Sequence, residues 1–139
     1  MNVTEKFDLI TDMVDEYLKE QSNDKETLFK QMGSQLGMTP RAIGDCFSFI
    51  TNITLGEYIR LRNLAVVFLD KVENHKRWSD VVCRCGYSED SAYHRAFKKA
   101  FGMTPVKMEK SGDYSNLMHR LSLEKIVKGN KIKIEKGCI

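Results

Sequence analysis

Apolar residues recur at three- and four-residue steps along almost the whole chain, the period of an amphipathic helix. Phe7, Ile10, Val14, Tyr17 and Leu18 form the first stripe, which the polar run Asp24–Thr27 interrupts. Leu28, Phe29, Met32 and Leu36 define a second, shorter helix with Gly37 in the C-cap position. Thr39-Pro40 then sets an N-cap threonine before a proline at the first helical position. The helix it opens carries Ile43, Phe47 and Ile50 on one face, with Cys46 expected on the same core stripe. Thr54-Leu-Gly-Glu57 has the form of a capping box and starts the longest helix, whose inward positions are Tyr58, Leu61, Ala65, Phe68, Leu69 and Val72.

Beyond the polar stretch Glu73–Arg77 the two-helix pattern returns. Trp78, Val81, Val82 and Cys85 line a short helix that ends at Gly86-Tyr87, and Ser88 is placed to cap the next one, with Glu89 and Asp90 complementing its dipole. Tyr93, Ala96, Phe97, Ala100 and Phe101 form that helix's buried stripe. Twice, then, a short helix, a glycine turn and a Ser/Thr cap precede an aromatic-striped second helix, as "FKQMGSQLGMTPRAIGDCF" beside "WSDVVCRCGYSEDSAYHRAF" shows. This is the helix-turn-helix pattern, repeated. The fold class read from the pattern is all-α: two helix-turn-helix subdomains joined by a long central helix. The units fall at about residues 26–52 and 78–101, the connecting helix at about 54–73, and a domain of residues 1–110 precedes a basic tail, 111–139.

A DNA-recognition helix buries one face on its own domain and offers short polar or basic side chains on the other. In the second unit Ser88, Ser91, Ala92, Arg95 and Lys99 share the face opposite Tyr93, Phe97 and Phe101. Arg95 is suited to guanine O6/N7, Ala92 to a thymine methyl, and Ser91 is small enough for close approach. His94, Lys98 and Lys99 flank this face, where phosphates lie. The first unit offers Arg41, Gly44, Asp45 and Ser48, of which only Arg41 looks like a strong ligand, while Asp45 would meet phosphate repulsion. A connecting helix over Thr54–Val72 is roughly 27 Å long at 1.5 Å per residue. Adjacent major grooves lie about 34 Å apart, so one chain could carry two readers.

Charge sharpens this asymmetry. The net +3 is the sum of 11 basic and 15 acidic residues over Met1–Asp90 and 11 basic and 4 acidic over Ser91–Ile139. A basic C-terminal half suits a polyanion. No apolar run reaches the roughly 20 residues that span a bilayer, and the acidic N-terminus is unlike a signal peptide, so a cytoplasmic location and no membrane partner are expected. Cys46, Cys83, Cys85 and Cys138 are then expected as free thiols, and Cys83-x-Cys85 lacks the spacing of a zinc site. His75, His94 and His119 have no nucleophile or carboxylate at suggestive spacing. No phosphate loop is present either, so neither an enzyme, a cofactor nor a metal is expected.

The run "GYSEDSAYHRAFKKAFGMTPVKM", Gly86–Met108, resembles the signature of the AraC/XylS family of bacterial transcription regulators, and "TLGEYIRLRNL", Thr54–Leu64, resembles the start of that family's linker helix. The resemblance covers about Phe7 to Glu109. It implies a seven-helix DNA-binding domain with recognition helices at about Pro40–Thr51 and Glu89–Phe101, double-stranded DNA as partner and RNA polymerase as a second candidate partner. By position it puts base contacts at Ser91, Ala92 and Arg95, and in the first unit at Arg41, Gly44 and Asp45. The sequence departs from the family pattern at Asp45, where a basic residue is usual, at Ser48-Phe49 in place of Lys-Lys, and at Val82 in place of a small residue.

The tail admits two readings. Leu117, Leu121 and Leu123 could continue a helix, while "RLSLEKIV-KGN-KIKIE" also fits a short β-hairpin around Gly129-Asn130. No small-molecule domain is evident, and both a truncated and a standalone module are open. Two units in one chain make a monomer sufficient for binding. The rival function is a module that kept the fold, lost sequence-specific DNA reading and regulates through a protein partner; Asp45, Gly44 and the modest charge favour it.

Overall fold

A computed structural model describes residues 1–20, 24–83 and 86–129. Eight helices follow one another among them: α1 (Val3–Glu20), α2 (Lys25–Leu36), α3 (Pro40–Thr51), α4 (Leu55–Glu73), α5 (Trp78–Val82), α6 (Asp90–Phe101), α7 (Pro105–Ser111) and α8 (Leu123–Gly129). There is no strand among the described residues, so the all-α expectation holds. Two compact units divide the chain, Met1–Ile59 with Arg120–Ile139, and Arg60–His119. The long helix α4 contributes to both, and the segment after residue 110 is shared between them.

In the first unit the expected stripe of α1 is buried at Phe7, Ile10, Val14 and Leu18. Phe7 stacks on Phe47 of α3 at 5.6 Å between ring centroids, and Phe47 meets Tyr58 of α4 at 5.3 Å. The predicted N-caps at Thr39 and Thr54 are made, and Asp24, read from the sequence only as part of a polar break, caps α2. The Asp24 carboxylate accepts from the Thr27 N–H at 2.8 Å, and that bond holds its pKa below the ordinary carboxylate value. Thr39 Oγ1 accepts from Ala42 N at 3.1 Å, ahead of Pro40, and Thr54 Oγ1 accepts from Glu57 N at 3.0 Å.

The turn between α2 and α3 depends on two glycines. Gly37 adopts φ 66°, the left-handed region that a side chain disfavours. The Gly33 carbonyl accepts from both Gly37 N (2.9 Å) and Met38 N (3.2 Å), which brings the Met38 carbonyl back over α2. A Cβ at Gly33 would lie 2.7 Å from that carbonyl oxygen. Sequence periodicity singled out Gly37 and passed over Gly33, because a helical glycine gives no local sign of what another segment will place against it.

Cys46 differs from its expected place on the core stripe: it is exposed with a free thiol. It lies between Ile43 and Phe47 in sequence, but those two (each 1% exposed) hold the buried face and Cys46 is turned off its edge. The connecting helix is buried more widely than a single stripe, since Ile59, Leu64 and Val67 are enclosed along with Tyr58, Ala65 and Phe68. A helix covered on several sides loses the one-faced signature that sequence reading relies on.

The tail is helical at Leu123–Gly129, which decides between the two readings for that stretch; α7 has already ended at Gly112, so Leu117 and Leu121 belong to no helix. The second half of the hairpin reading, Lys131–Glu135, lies outside the described residues, as do Cys85 and Cys138. Arg120 fastens this segment to α1. Its guanidinium donates to the Asp8 carbonyl (3.4 Å), to the fully buried Thr11 hydroxyl oxygen (3.2 Å) and to the Asp12 carboxylate, with Asp15 at 3.6 Å. Burial favours the neutral guanidine, but the Asp12 hydrogen bond and the two carboxylate charges outweigh it and raise the Arg120 pKa.

Replacing Gly33 by alanine is expected to destabilise the first unit by about 1–3 kcal/mol, the usual range for forcing extra atoms into a filled space. Urea denaturation checks this, and an unchanged midpoint would show that the α2–α3 turn yields without strain.

Candidate nucleic-acid interface

The second unit is built around α6. Tyr93, Phe97 and Phe101, at steps of four, are each 6% exposed or less and pack with Leu64, Phe68, Val81, Val82 and Met108. Phe68 of α4 approaches Phe97 at 5.3 Å, and Phe97 meets Phe101 edge-on at 4.8 Å. The Tyr93 hydroxyl donates to the Leu64 carbonyl at 2.7 Å, in a fully buried position. Val82, the departure from a small residue, is 1% exposed and accommodated in this core.

The short helix α5 is held by its first residue. The Trp78 indole lies 6.0 Å from Phe68, 6.1 Å from Tyr93 and 5.3 Å, edge-on, from His94. Above it sits the Lys71 ammonium, 4.9 Å from the ring centroid, which also donates to both Glu109 oxygens at 2.8 and 3.1 Å. This tie joins α4, α5 and α7 around the base of α6. Sequence reading missed it, because Lys71 and Glu109 stand 38 residues apart and only folding pairs them.

With that face of α6 committed, the other is open. Ser91, Arg95, Lys98 and Lys99 are exposed and Ala92 is half-buried, so the set chosen from the sequence shares one outer surface. Lys98 and Lys99 sit in the last turn, where cations complement the helix dipole. Ser88 is exposed but does not cap α6. The N-cap is Glu89, in extended conformation and without a side-chain capping bond, and the helix begins at Asp90. The Ser91 hydroxyl donates to Glu89 Oε2 at 3.1 Å.

His94 is more constrained than its sequence position suggested. It is half-buried against Trp78, and Nδ1 lies 2.7 Å from the Asp90 carbonyl. A carbonyl only accepts, so Nδ1 carries a proton and the neutral ring offers Nε2 as an acceptor. A phosphate can receive a hydrogen bond from Nε2 only when the ring is the imidazolium.

In the first unit α3 bears Arg41 and Asp45 exposed and Ser48 half-buried. Nothing lies within 4 Å of where a Gly44 Cβ would stand. These positions line an open groove of about 570 Å³ together with Phe29, Thr54 and Leu55. Phe49, on the same helix, is 51% exposed, an apolar side chain that the sequence reading assigned no role. The charge of the two units differs as their faces do. The first unit, residues 1–59 with 120–139, holds 12 acidic and 11 basic side chains, and the second, residues 60–119, holds 7 acidic and 11 basic. Among the described residues no cluster of three His, Cys, Asp or Glu could hold a metal ion, and no helix is long and apolar enough to cross a membrane.

Two helix pairs, each ending in a helix with an aromatic inner face and a polar outer face, define a protein of the helix-turn-helix class. Residues 32–111, more than half of the chain, match the family profile described as a helix-turn-helix domain, and the protein belongs to this AraC-type family of DNA-binding transcription regulators. It is similar to the "Probable transcription factor PqrA" of Proteus vulgaris, at 33% identity over 66 residues, which cover 48% of this chain and 54% of that protein. The chain thus spans about half the length of the curated relative it matches.

Tyr93→Phe removes only the hydroxyl that ties α6 to α4. It is expected to cost about 1 kcal/mol of the second unit's stability, the ordinary worth of one buried hydrogen bond. Chemical denaturation followed by Trp78 fluorescence measures it, and a loss below about 0.3 kcal/mol would mean that packing alone sets α6.

Proposed function

We propose that the protein binds double-stranded DNA sequence-specifically in transcriptional regulation, with α6 in the major groove as the dominant reader. The observation that carries this is the division of α6, in which Tyr93, Phe97 and Phe101 are consumed by the core while Ser91, Arg95, Lys98 and Lys99 remain outside on a basic surface. Arg95 reads guanine through its bidentate guanidinium. Ser91 and Ala92 fit against neighbouring base edges. Ser88, His94, Lys98 and Lys99 contact phosphates, His94 in its protonated form. Arg41 and Ser48 make a weaker contact from α3, where Asp45 opposes the backbone charge. RNA polymerase is the machinery that such a bound regulator acts on, and a monomer suffices for binding.

A second reading, regulation through a protein partner without sequence-specific DNA contact, is favoured by exposed Asp45 and Phe49 on α3. Selection from a random duplex pool separates the two. One enriched motif supports DNA reading, whereas no enrichment with weak binding even at low salt supports the partner.

Arg95→Ala is expected to cost about 1–3 kcal/mol in binding and to relax one column of the selected motif. Unaltered binding would remove α6's outer face from the interface. Lys98→Ala, by contrast, is expected to weaken all sequences alike and lower the slope of log affinity against log salt by about 1. Titrations at several salt concentrations test this, and an unchanged slope would place Lys98 away from phosphate.

A further inference from the structure

The first unit carries a second surface that DNA reading leaves unexplained. Between α1 and α2 lies an open groove of about 410 Å³. Its floor is apolar: Leu9, Met13 and Tyr17 follow one another at four-residue steps along α1, and Leu28 closes it from α2. Beside that row runs another with the same step, made of the carboxylates Asp12, Glu16 and Glu20. Arg120 neutralises Asp12, at one end. Glu16 and Glu20 are exposed and have no ion-pair partner among the described residues. The wall on α2 is formed by the uncharged amides of Gln31 and Gln35.

We propose that this groove docks a basic, amphipathic helix of a partner protein. Two parallel rows, one apolar and one acidic, repeat at the rise of four helical residues, about 6 Å. Another helix laid alongside presents an apolar stripe with lysines or arginines beside it at that same interval. Charge sets the sign of the occupant: the exposed Glu16 and Glu20 favour a cationic chain and disfavour phosphate. Met13 and Tyr17 suit the floor, since the flexible thioether adapts to varied side chains and the phenol ring offers a face to a cation. The proposal does not depend on how α6 reads DNA.

The test uses the purified full chain and a fluorescein-labelled peptide of leucine and lysine arranged in the helical period. A peptide of the same composition in strand period and a leucine–glutamate helix serve as controls. Anisotropy titration is expected to show binding of the leucine–lysine helix alone, weakened about fivefold to tenfold in the Glu16→Gln/Glu20→Gln variant. That variant should keep wild-type helicity and DNA affinity, which separates loss of the groove from loss of the fold. A photoreactive version of the peptide is expected to crosslink to α1 at Met13 or Tyr17. Equal binding by the strand-period peptide, equal binding to the variant, or crosslinks confined to other surfaces would each overturn the proposal. So would sedimentation showing that the protein alone forms a dimer dispersed by the same variant, because the occupant would then be a second copy.

Discussion

The aromatic side of α6 is the constraint from which the second unit follows. Tyr93, Phe97 and Phe101 are all buried, and leaving them in water would cost about 2 kcal/mol or more each. They are covered by α4 through Phe68 and Leu64, by α5 through Val81, Val82 and the Trp78 indole, and by Met108 of α7. Tyr93 adds direction to that burial, because its hydroxyl must find a partner and does so at the Leu64 carbonyl. Once the helix is turned by these contacts, Arg95 and the two lysines have nowhere to go but outward. The outer face is therefore a consequence of the inner one.

The first unit follows the same plan with a different outer chemistry. Phe7, Phe47 and Tyr58 form its aromatic core, and α3 is capped by Thr39 and Pro40 much as α7 is capped by Thr104 and Pro105. Yet what faces outward from α3 is Asp45, an open Gly44 and the exposed Phe49. Together with an acidic α1, this leaves the exposed Arg41 as the one cation of α3, against Arg95, Lys98 and Lys99 on α6. The two units thus share an aromatic buried face and differ at the solvent face, as expected when the fold demands only the buried half of each helix.

Arg120 shows how a residue far along the chain completes the first unit. Its bonds to Thr11, Asp12 and the Asp8 carbonyl satisfy a buried hydroxyl and hold the segment that leads into α8. By pairing Asp12 it also leaves Glu16 and Glu20 as the carboxylates that give the groove beside them its polarity.

Much of this was legible in the sequence, because helical periodicity and capping are local. The stripes of α1, α3 and α6, the caps at Thr39 and Thr54 and the glycine after α2 could be placed from spacing alone, and so could the residues on the outer face of α6. What lay beyond reach was decided by contacts between distant segments. Gly33 is required by the Met38 carbonyl, Lys71 is held by Glu109, and Arg120 is held by α1. Cys46 was misplaced and the N-cap of α6 shifted from Ser88 to Glu89, since a single residue at a stripe edge or helix end is settled by differences that pattern does not encode. The sequence by itself determined the helices α1 to α6 and the buried stripes of α1, α3 and α6, because periodicity is local. Only the tertiary structure decided which charges meet and which remain open, because electrostatic pairing depends on distance in space rather than along the chain.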